Sequence, residues 1–324
     1  MQNPIVEAIE NYGLSKKDRK KSLFSKIGVV GCGIEGQNIV GITASAGLDV
    51  VFVELSQEKI DNAFEKISKN LDTKIENWGL TGTEKKTVLS RIKGTTAYQD
   101  LSDCDFVIEC TRHDDDTGVR STRSRVEVFR ELEKVIATDA IIATNASTVI
   151  VTELASDLVH KERCISLHFL VTQPEARIIE IVKGLYTSED VYKKVLLFTK
   201  MIKHEVVNVN ESAGLVSLRL FLTMLNEACQ MLMENVATIK DVDKLLTMGW
   251  GFRKGVFKTA DQIGIEKVVA LMENMFGEYG DKKYKPNPLI MKLFRAKQYG
   301  LRSRIGFYIY DEKGNIMKEN NFGA

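Results

Sequence analysis

The stretch Gly31-Cys32-Gly33-Ile34-Glu35-Gly36 has the residue types and spacing to cradle a phosphate. An apolar, β-branched run at 27–30 leads straight into it, and a segment of helical character follows. Gly31 permits a tight turn, Gly33 lets backbone approach a diphosphate, and Gly36 lets the helix pack closely on the strand. The helix start, from Ile34 and Glu35 onward, adds free N–H groups and a partial positive charge. A second apolar run at 50–54 ends on Glu54. That is close to the spacing of about 20 residues at which an acid accepts the ribose hydroxyls of a dinucleotide. A carboxylate there would repel a 2′-phosphate, so NAD is expected over NADP. The expected cofactor contacts are Gly31, Gly33, Ile34, Glu35, Gly36 and Glu54.

A second constellation could move a proton. Oxidising an alcohol requires a base for the hydroxyl proton while hydride leaves the same carbon, and histidine titrates near the operating pH. His168 ends a β-rich run at 164–169, and another such run follows at 178–182 after a loop at 171–176. If the two runs pair as a hairpin, Glu180 lands within one residue of facing His168. A carboxylate there would fix the imidazole tautomer and stabilise the imidazolium. A histidine alone on a strand is as readily a structural residue; the facing acid is what marks His168. His113, His160 and His204 lack such company and read as surface residues.

The elements that must position these groups follow from hydrophobic pattern. Short β-rich runs at 27–30, 50–54, 106–110, 140–144, 164–169, 178–182 and 205–209 alternate with helical stretches such as 58–77. The first four runs are almost continuously apolar, as strands buried on both faces are. This alternation predicts an α/β fold with a doubly wound, Rossmann-type sheet. Beyond Gly214 the pattern is helical only, at 214–235, 240–248, 258–278 and 287–298, which predicts an all-α C-terminal domain. The expected organisation is an extension at 1–25, a dinucleotide-binding domain at 26–210 and a helical substrate and dimerisation domain at 211–324, joined by a linker at 208–214. Segment 214–235 is apolar around so much of its girth that it needs partners on more than one side.

Bulk properties exclude several classes. A formal net charge of +1 gives no global attraction to nucleic acid or anionic membrane. The basic run at 16–21 reads as a solvated lead-in to the first strand. Five cysteines, an odd number without a C-x-x-C pair, point away from a disulfide framework or zinc site and toward a reducing compartment, most simply the cytoplasm. No apolar run reaches the ~18 residues of a membrane span, and residues 1–25 lack the apolar core of a signal peptide.

Further motifs stand in order along the chain: Ile27-Gly28-Val29-Val30-Gly31-Cys32-Gly33; Arg91-Ile92-Lys93-Gly94-Thr95-Thr96; Ala143-Thr144-Asn145-Ala146-Ser147-Thr148; Leu167-His168-Phe169; and Gly300-Leu301-Arg302 leading to Gly306-Phe307-Tyr308. Through them the chain resembles the (S)-3-hydroxyacyl-CoA dehydrogenase family from about residue 26 to 310. The resemblance implies NAD-dependent, reversible oxidation of a 3-hydroxyacyl-CoA to the 3-ketoacyl-CoA by a homodimer. It implies that His168 is the catalytic histidine, Glu180 its partner, Ser147 the substrate-orienting serine, and Asn145 a neighbour of the cofactor's nicotinamide end. Lys66, Lys69 and Lys74 on the 58–77 helix are candidates to contact CoA.

Three departures stand out. Leu170-Val171-Thr172-Gln173-Pro174 replaces the family's F-N-P-V-P, losing an asparagine beside the base. Leu218 takes the place of a second family asparagine at the start of the C-terminal domain, and so lines the expected substrate site without a hydrogen-bonding group. The segment after Glu109 is longer than usual and carries Asp114-Asp115-Asp116 before Arg120, Arg123 and Arg125. These arginines could grip CoA phosphates, but read better as a solvated helix-start face. The lost asparagines keep open a dehydrogenase of a 3-hydroxy acid without CoA, like the gulonate and carnitine dehydrogenases. An NAD-binding protein retired from catalysis is the third reading, and retention of His168, Glu180 and Ser147 argues against it. From Glu54, NADH should bind much more tightly than NADPH in fluorescence titrations, and equal affinities would remove Glu54 from the ribose.

Overall fold

A computed structural model describes residues 24–76, 79–111, 122–170 and 177–322. The basic run at 16–21, His113, Asp114 to Asp116, Arg120 and the loop at 171–176 lie outside the described residues, as does the side chain of Lys74. The chain runs β1 (Lys26–Val30), α1 (Ile34–Ser45), β2 (Asp49–Val53), α2 (Gln57–Glu76), α3 (Gly82–Ser90), β3 (Ile92–Thr95), β4 (Phe106–Glu109), α4 (Thr122–Val135), β5 (Ile141–Thr144), α5 (Val151–Ala155), β6 (Cys164–Phe169), β7 (Ile178–Lys183), α6 (Glu189–Met201) and β8 (Glu205–Asn210). The helical part follows as α7 (Ser217–Met233), α8 (Ile239–Lys244), α9 (Val256–Ile263), α10 (Ile265–Tyr279) and α11 (Pro288–Arg295), then a hairpin of β9 (Tyr308–Tyr310) and β10 (Ile316–Glu319).

The first eight strands form one sheet in the order β3-β2-β1-β4-β5-β6-β7-β8. Strand order runs outward from β1 on both sides, so a crevice opens at the carboxyl ends of β1 and β4, where ligands of doubly wound sheets bind. All pairings are parallel except β6 with β7. The expected runs at 27–30, 50–54, 106–110 and 140–144 became β1, β2, β4 and β5, whose apolar side chains are buried because helices cover both sheet faces. One core gathers α1, α2 and α6 against the sheet, and includes Phe24, Phe106 and Phe198 packed ring to ring. The other gathers α4 and α5 on the opposite side.

Four sequence expectations need correction. Strand β3 was legible only as a motif, since Lys93 and Gly94 interrupt its apolar character. The expected helix at 258–278 is two helices, because Gly264 at φ +96° ends α9 and restarts the chain as α10. The linker is shorter than 208–214, as Asn208 to Asn210 still pair with β7. The helical part also holds two strands, β9 and β10, which alternation over so few residues cannot announce.

Two buried carboxylates hold that hairpin. Asp261, 1% exposed, accepts hydrogen bonds from Phe307 N (2.9 Å), Tyr308 N (2.9 Å) and the Tyr310 hydroxyl (2.9 Å). Asp243 accepts from Phe257 N and Lys258 N at the start of α9 and from the Tyr308 hydroxyl, each at 3.0 Å. Burial pushes the Asp261 carboxyl up to about 6 despite its donors. The folded chain therefore binds this proton more tightly than the unfolded chain does. Its stabilising contribution is complete below about pH 4 and is lost as pH rises through 6. Thermal unfolding of Asp261→Asn should show a weaker loss of stability between pH 4.5 and 7 than the wild type. An unchanged pH slope would mean that Asp261 stays ionised throughout.

Candidate active site

The glycine loop is shaped for close contact. Gly31 has φ +87°, and a Cβ there would press on the backbone of Cys110 and Thr111 at 3.0–3.1 Å. A Cβ on Gly33 would meet no protein atom within 4 Å, so this side of the loop is open to a ligand. A Cβ on Gly36 would lie 2.1 Å from the Gly31 carbonyl oxygen, which makes glycine obligatory where α1 crosses the loop. Ile34, 77% exposed, begins α1 beside this opening. Glu54 follows β2 and accepts the Cys32 N–H at 2.7 Å, so the acid is already drawn against the loop. This cradle fits a dinucleotide diphosphate, with backbone N–H groups at the start of α1 as its holders.

His168 and Glu180 are directly opposite in the antiparallel pairing of β6 with β7, a residue closer in register than the sequence required. His168 Nδ1 lies 2.8 Å from Glu180 Oε2. Glu180 is only 2% exposed and is surrounded by donors: Oε1 accepts Val216 N (3.0 Å) and Ser217 N (2.9 Å), and Oε2 accepts the Ser217 hydroxyl (2.7 Å). Burial alone would push its carboxyl up, but the hydrogen bonds from His168 and Ser217 outweigh it and leave the carboxyl below the usual range. An ionised carboxylate only accepts, so Nδ1 of His168 is the donor in this contact and Nε2 takes no part in it. The start of α7 adds its positive end to the same carboxylate. Reaching this geometry, Gly214 (φ +79°) and Leu215 (φ +49°) take left-handed conformations, the second unusual for leucine.

A cavity of about 230 Å³ opens beside this pair. Ser147, His168, Leu218, Glu35 and Lys267 line it, with an apolar wall from residues such as Phe221 and Leu271. Ser147 is buried in the segment that follows β5, and its carbonyl accepts the Gly214 N–H at 2.7 Å, tying sheet to helices. Leu218 both lines the cavity and packs on the helical core. Asn145, 3% exposed, donates from Nδ2 to Glu35 Oε2 (2.8 Å) and accepts the Phe169 N–H at Oδ1 (2.9 Å). The Glu35 side chain thus faces the cavity, where Lys267 pairs with it.

Other candidates lie elsewhere. Lys66 and Lys69 are exposed on α2 and do not line the cavity. Arg125 is not on a solvated face: it is 5% exposed and grips both oxygens of fully buried Glu109 at 2.6 Å, beneath the loop. Arg123 is exposed near Glu127. His204 is half-buried against Phe169 and bonded to the Ile202 carbonyl, whereas His160 is at the surface. Burial pushes the thiols of Cys104 and Cys164 up to about 12, so they are poor nucleophiles.

Two partners escaped the sequence. Ser217 stands directly before Leu218, and no spacing in the sequence connects its hydroxyl to Glu180. Lys267 is separated from Glu35 by 232 residues, with no local signal to join them.

Comparison with known proteins agrees with this architecture. The family model for the 3-hydroxyacyl-CoA dehydrogenase NAD binding domain matches residues 26–212, and that for the 3-hydroxyacyl-CoA dehydrogenase C-terminal domain matches 214–310. The chain is 33% identical over 287 residues to a 3-hydroxybutyryl-CoA dehydrogenase of Clostridioides difficile, covering 89% of this chain and 100% of the relative. It is 31% identical to a probable 3-hydroxybutyryl-CoA dehydrogenase of Bacillus subtilis, covering 90% of this chain and 99% of the relative. The crystal structure of (S)-3-hydroxybutyryl-CoA dehydrogenase from Ralstonia eutropha matches with a TM-score of 0.79 at 30% identity, covering 89% of this chain and 100% of that one. With NAD as the cofactor of its N-terminal domain, the chain belongs to the 3-hydroxyacyl-CoA dehydrogenase family.

Proposed function

We propose that this chain reversibly oxidises a 3-hydroxyacyl-CoA to the 3-ketoacyl-CoA, with His168 and Glu180 as the acid–base pair. The observation that carries the reading is His168 Nδ1 held 2.8 Å from a buried carboxylate while the ring faces a cavity shared with Ser147. Bound NAD supplies the hydride acceptor. His168 Nε2 takes the hydroxyl proton in oxidation and returns it in reduction. Glu180 steadies the imidazolium, and its Ser217 and backbone donors keep it ionised for that purpose. Ser147 donates a hydrogen bond to the substrate oxygen. Leu218, Phe221 and Leu271 offer apolar surface to the acyl chain, which favours chains longer or more branched than four carbons. Lys66 and Lys69 are available at the surface for CoA phosphates. On this reading residues 26–210 form the cofactor unit and 211–324 the substrate and dimerisation unit.

A cytoplasmic homodimer completes the proposal. All five cysteines are free, as a reducing compartment would keep them. Among the described residues no helix is long and apolar enough to cross a membrane. Segment α7 buries Leu222, Leu225 and Cys229 in its own domain yet leaves Val216 (44%) and Leu220 (68%) exposed, while Met248 (78%) and Trp250 (73%) add further uncovered apolar surface in the helical part. A second copy would cover such surface.

NADH consumption with acetoacetyl-CoA, set beside a free 3-keto acid, tests the reaction. His168→Ala should lower turnover by roughly 10²–10⁴-fold and leave NADH affinity nearly intact, and Glu180→Gln should impair turnover as well. Near-normal turnover of the His168 variant would rule out the proposed base. Light scattering at micromolar concentration should give twice the 36.4 kDa chain mass, and a monomer would refute the assembly.

A further inference from the structure

Two charges in the cavity stand where each is unfavourable by itself. Glu35 lies in the first turn of α1, directly after the glycine loop. A carboxylate suits a helix start, but here that start is also where the dinucleotide's diphosphate must come, and two anions at one helix end repel. Lys267 lies in the first turn of α10, where a cation opposes the helix dipole. The fold brings them into an ion pair, with side-chain exposures of 29% for Glu35 and 23% for Lys267. The second oxygen of Glu35 accepts Asn145 Nδ2 at 2.8 Å, and Asn145 Oδ1 accepts the N–H of Phe169, next to His168. Since Oδ1 must face an N–H donor, the amide can turn only one way, and its NH2 group is committed to Glu35.

We propose that Lys267 sets the affinity for NAD(H) from the helical domain, by neutralising Glu35 at the phosphate-binding end of α1. Removal of the lysine takes its cation away from the carboxylate beside the diphosphate site. Removal of the carboxylate instead leaves the helix start more positive than in the wild type. Cofactor affinity is thereby coupled to the contact between the helical domain and the sheet domain. Lys267 and Glu35 act on the cofactor through charge and are positioning residues, separate from the proton transfer proposed for His168.

The inference rests on the dinucleotide site, so NADH binding to the wild type is measured first by fluorescence titration. Absence of binding would sink the site and this inference together. Lys267→Met should weaken NADH binding by about 2- to 5-fold at low salt, the range of a partly exposed pair, and less at high salt. Glu35→Gln should bind NADH at least as tightly as the wild type. The double variant Lys267→Met with Glu35→Gln should recover most of the loss. Thermal unfolding of each variant separates affinity from stability. A lowered Tm with unchanged NADH affinity for Lys267→Met would reduce the pair to a structural clasp and overturn the proposal. So would a double variant as weak as Lys267→Met, or a Glu35→Gln variant that weakens binding. If Lys267→Met fails to fold, Glu35→Gln still decides, because a required cofactor contact would weaken there and a neutralised repulsion would not.

Discussion

A carboxylate withdrawn from water must be met by donors or it gives up its charge. Glu180 meets that demand with His168 on the neighbouring strand and with Ser217 and Val216 at the start of α7. Its donors come from both parts of the chain, so the sheet and the helices are in register at this one buried anion. The strained turn at Gly214 and Leu215 is understandable in these terms: it aims two N–H groups at Oε1. Removing any one donor would leave the others holding a less compensated charge.

The same logic recurs at other buried carboxylates of the chain. Glu109, with no exposed surface, is gripped by Arg125 on α4 and also accepts the Thr111 N–H (2.7 Å) and the Thr144 hydroxyl (2.7 Å). That cluster supports the turn that Gly31 packs against, so an arginine that looks like a phosphate ligand in the sequence serves the floor of the loop. Asp261 on α9 accepts backbone N–H groups of the hairpin, and Asp243 on α8 accepts those at the start of α9 together with the Tyr308 hydroxyl. Glu35 and Lys267 join the first helix of the sheet domain to α10. Each contact ties separate elements together, and in each the carboxylate is met by hydrogen-bond donors.

The family's missing asparagine shows how a site tolerates change. Leu218 brings apolar surface to the cavity and no donor, yet the residue before it adds a hydroxyl to Glu180. Consecutive residues of α7 thus serve an apolar cavity wall and the buried carboxylate behind His168.

Much of this was legible before any coordinates. Runs of apolar residues named the parallel strands because a strand covered on both faces has no polar side to show. Glycines at 31, 33 and 36 followed by an acid named the cofactor, since backbone proximity and dihedral freedom are local properties. His168 and Glu180 could be paired in advance because a hairpin carries its register in the spacing. What remained hidden depended on distance along the chain. The expected single helix at 258–278 is broken at Gly264, where a positive φ ends α9 and the Tyr299 carbonyl accepts Ile265 N. Arg125, Ser217 and Lys267 have partners that no periodicity or spacing connects to them. A charge declares its sign in the sequence, but whether it meets solvent, a ligand or a buried opposite depends on which elements the folded core brings against it.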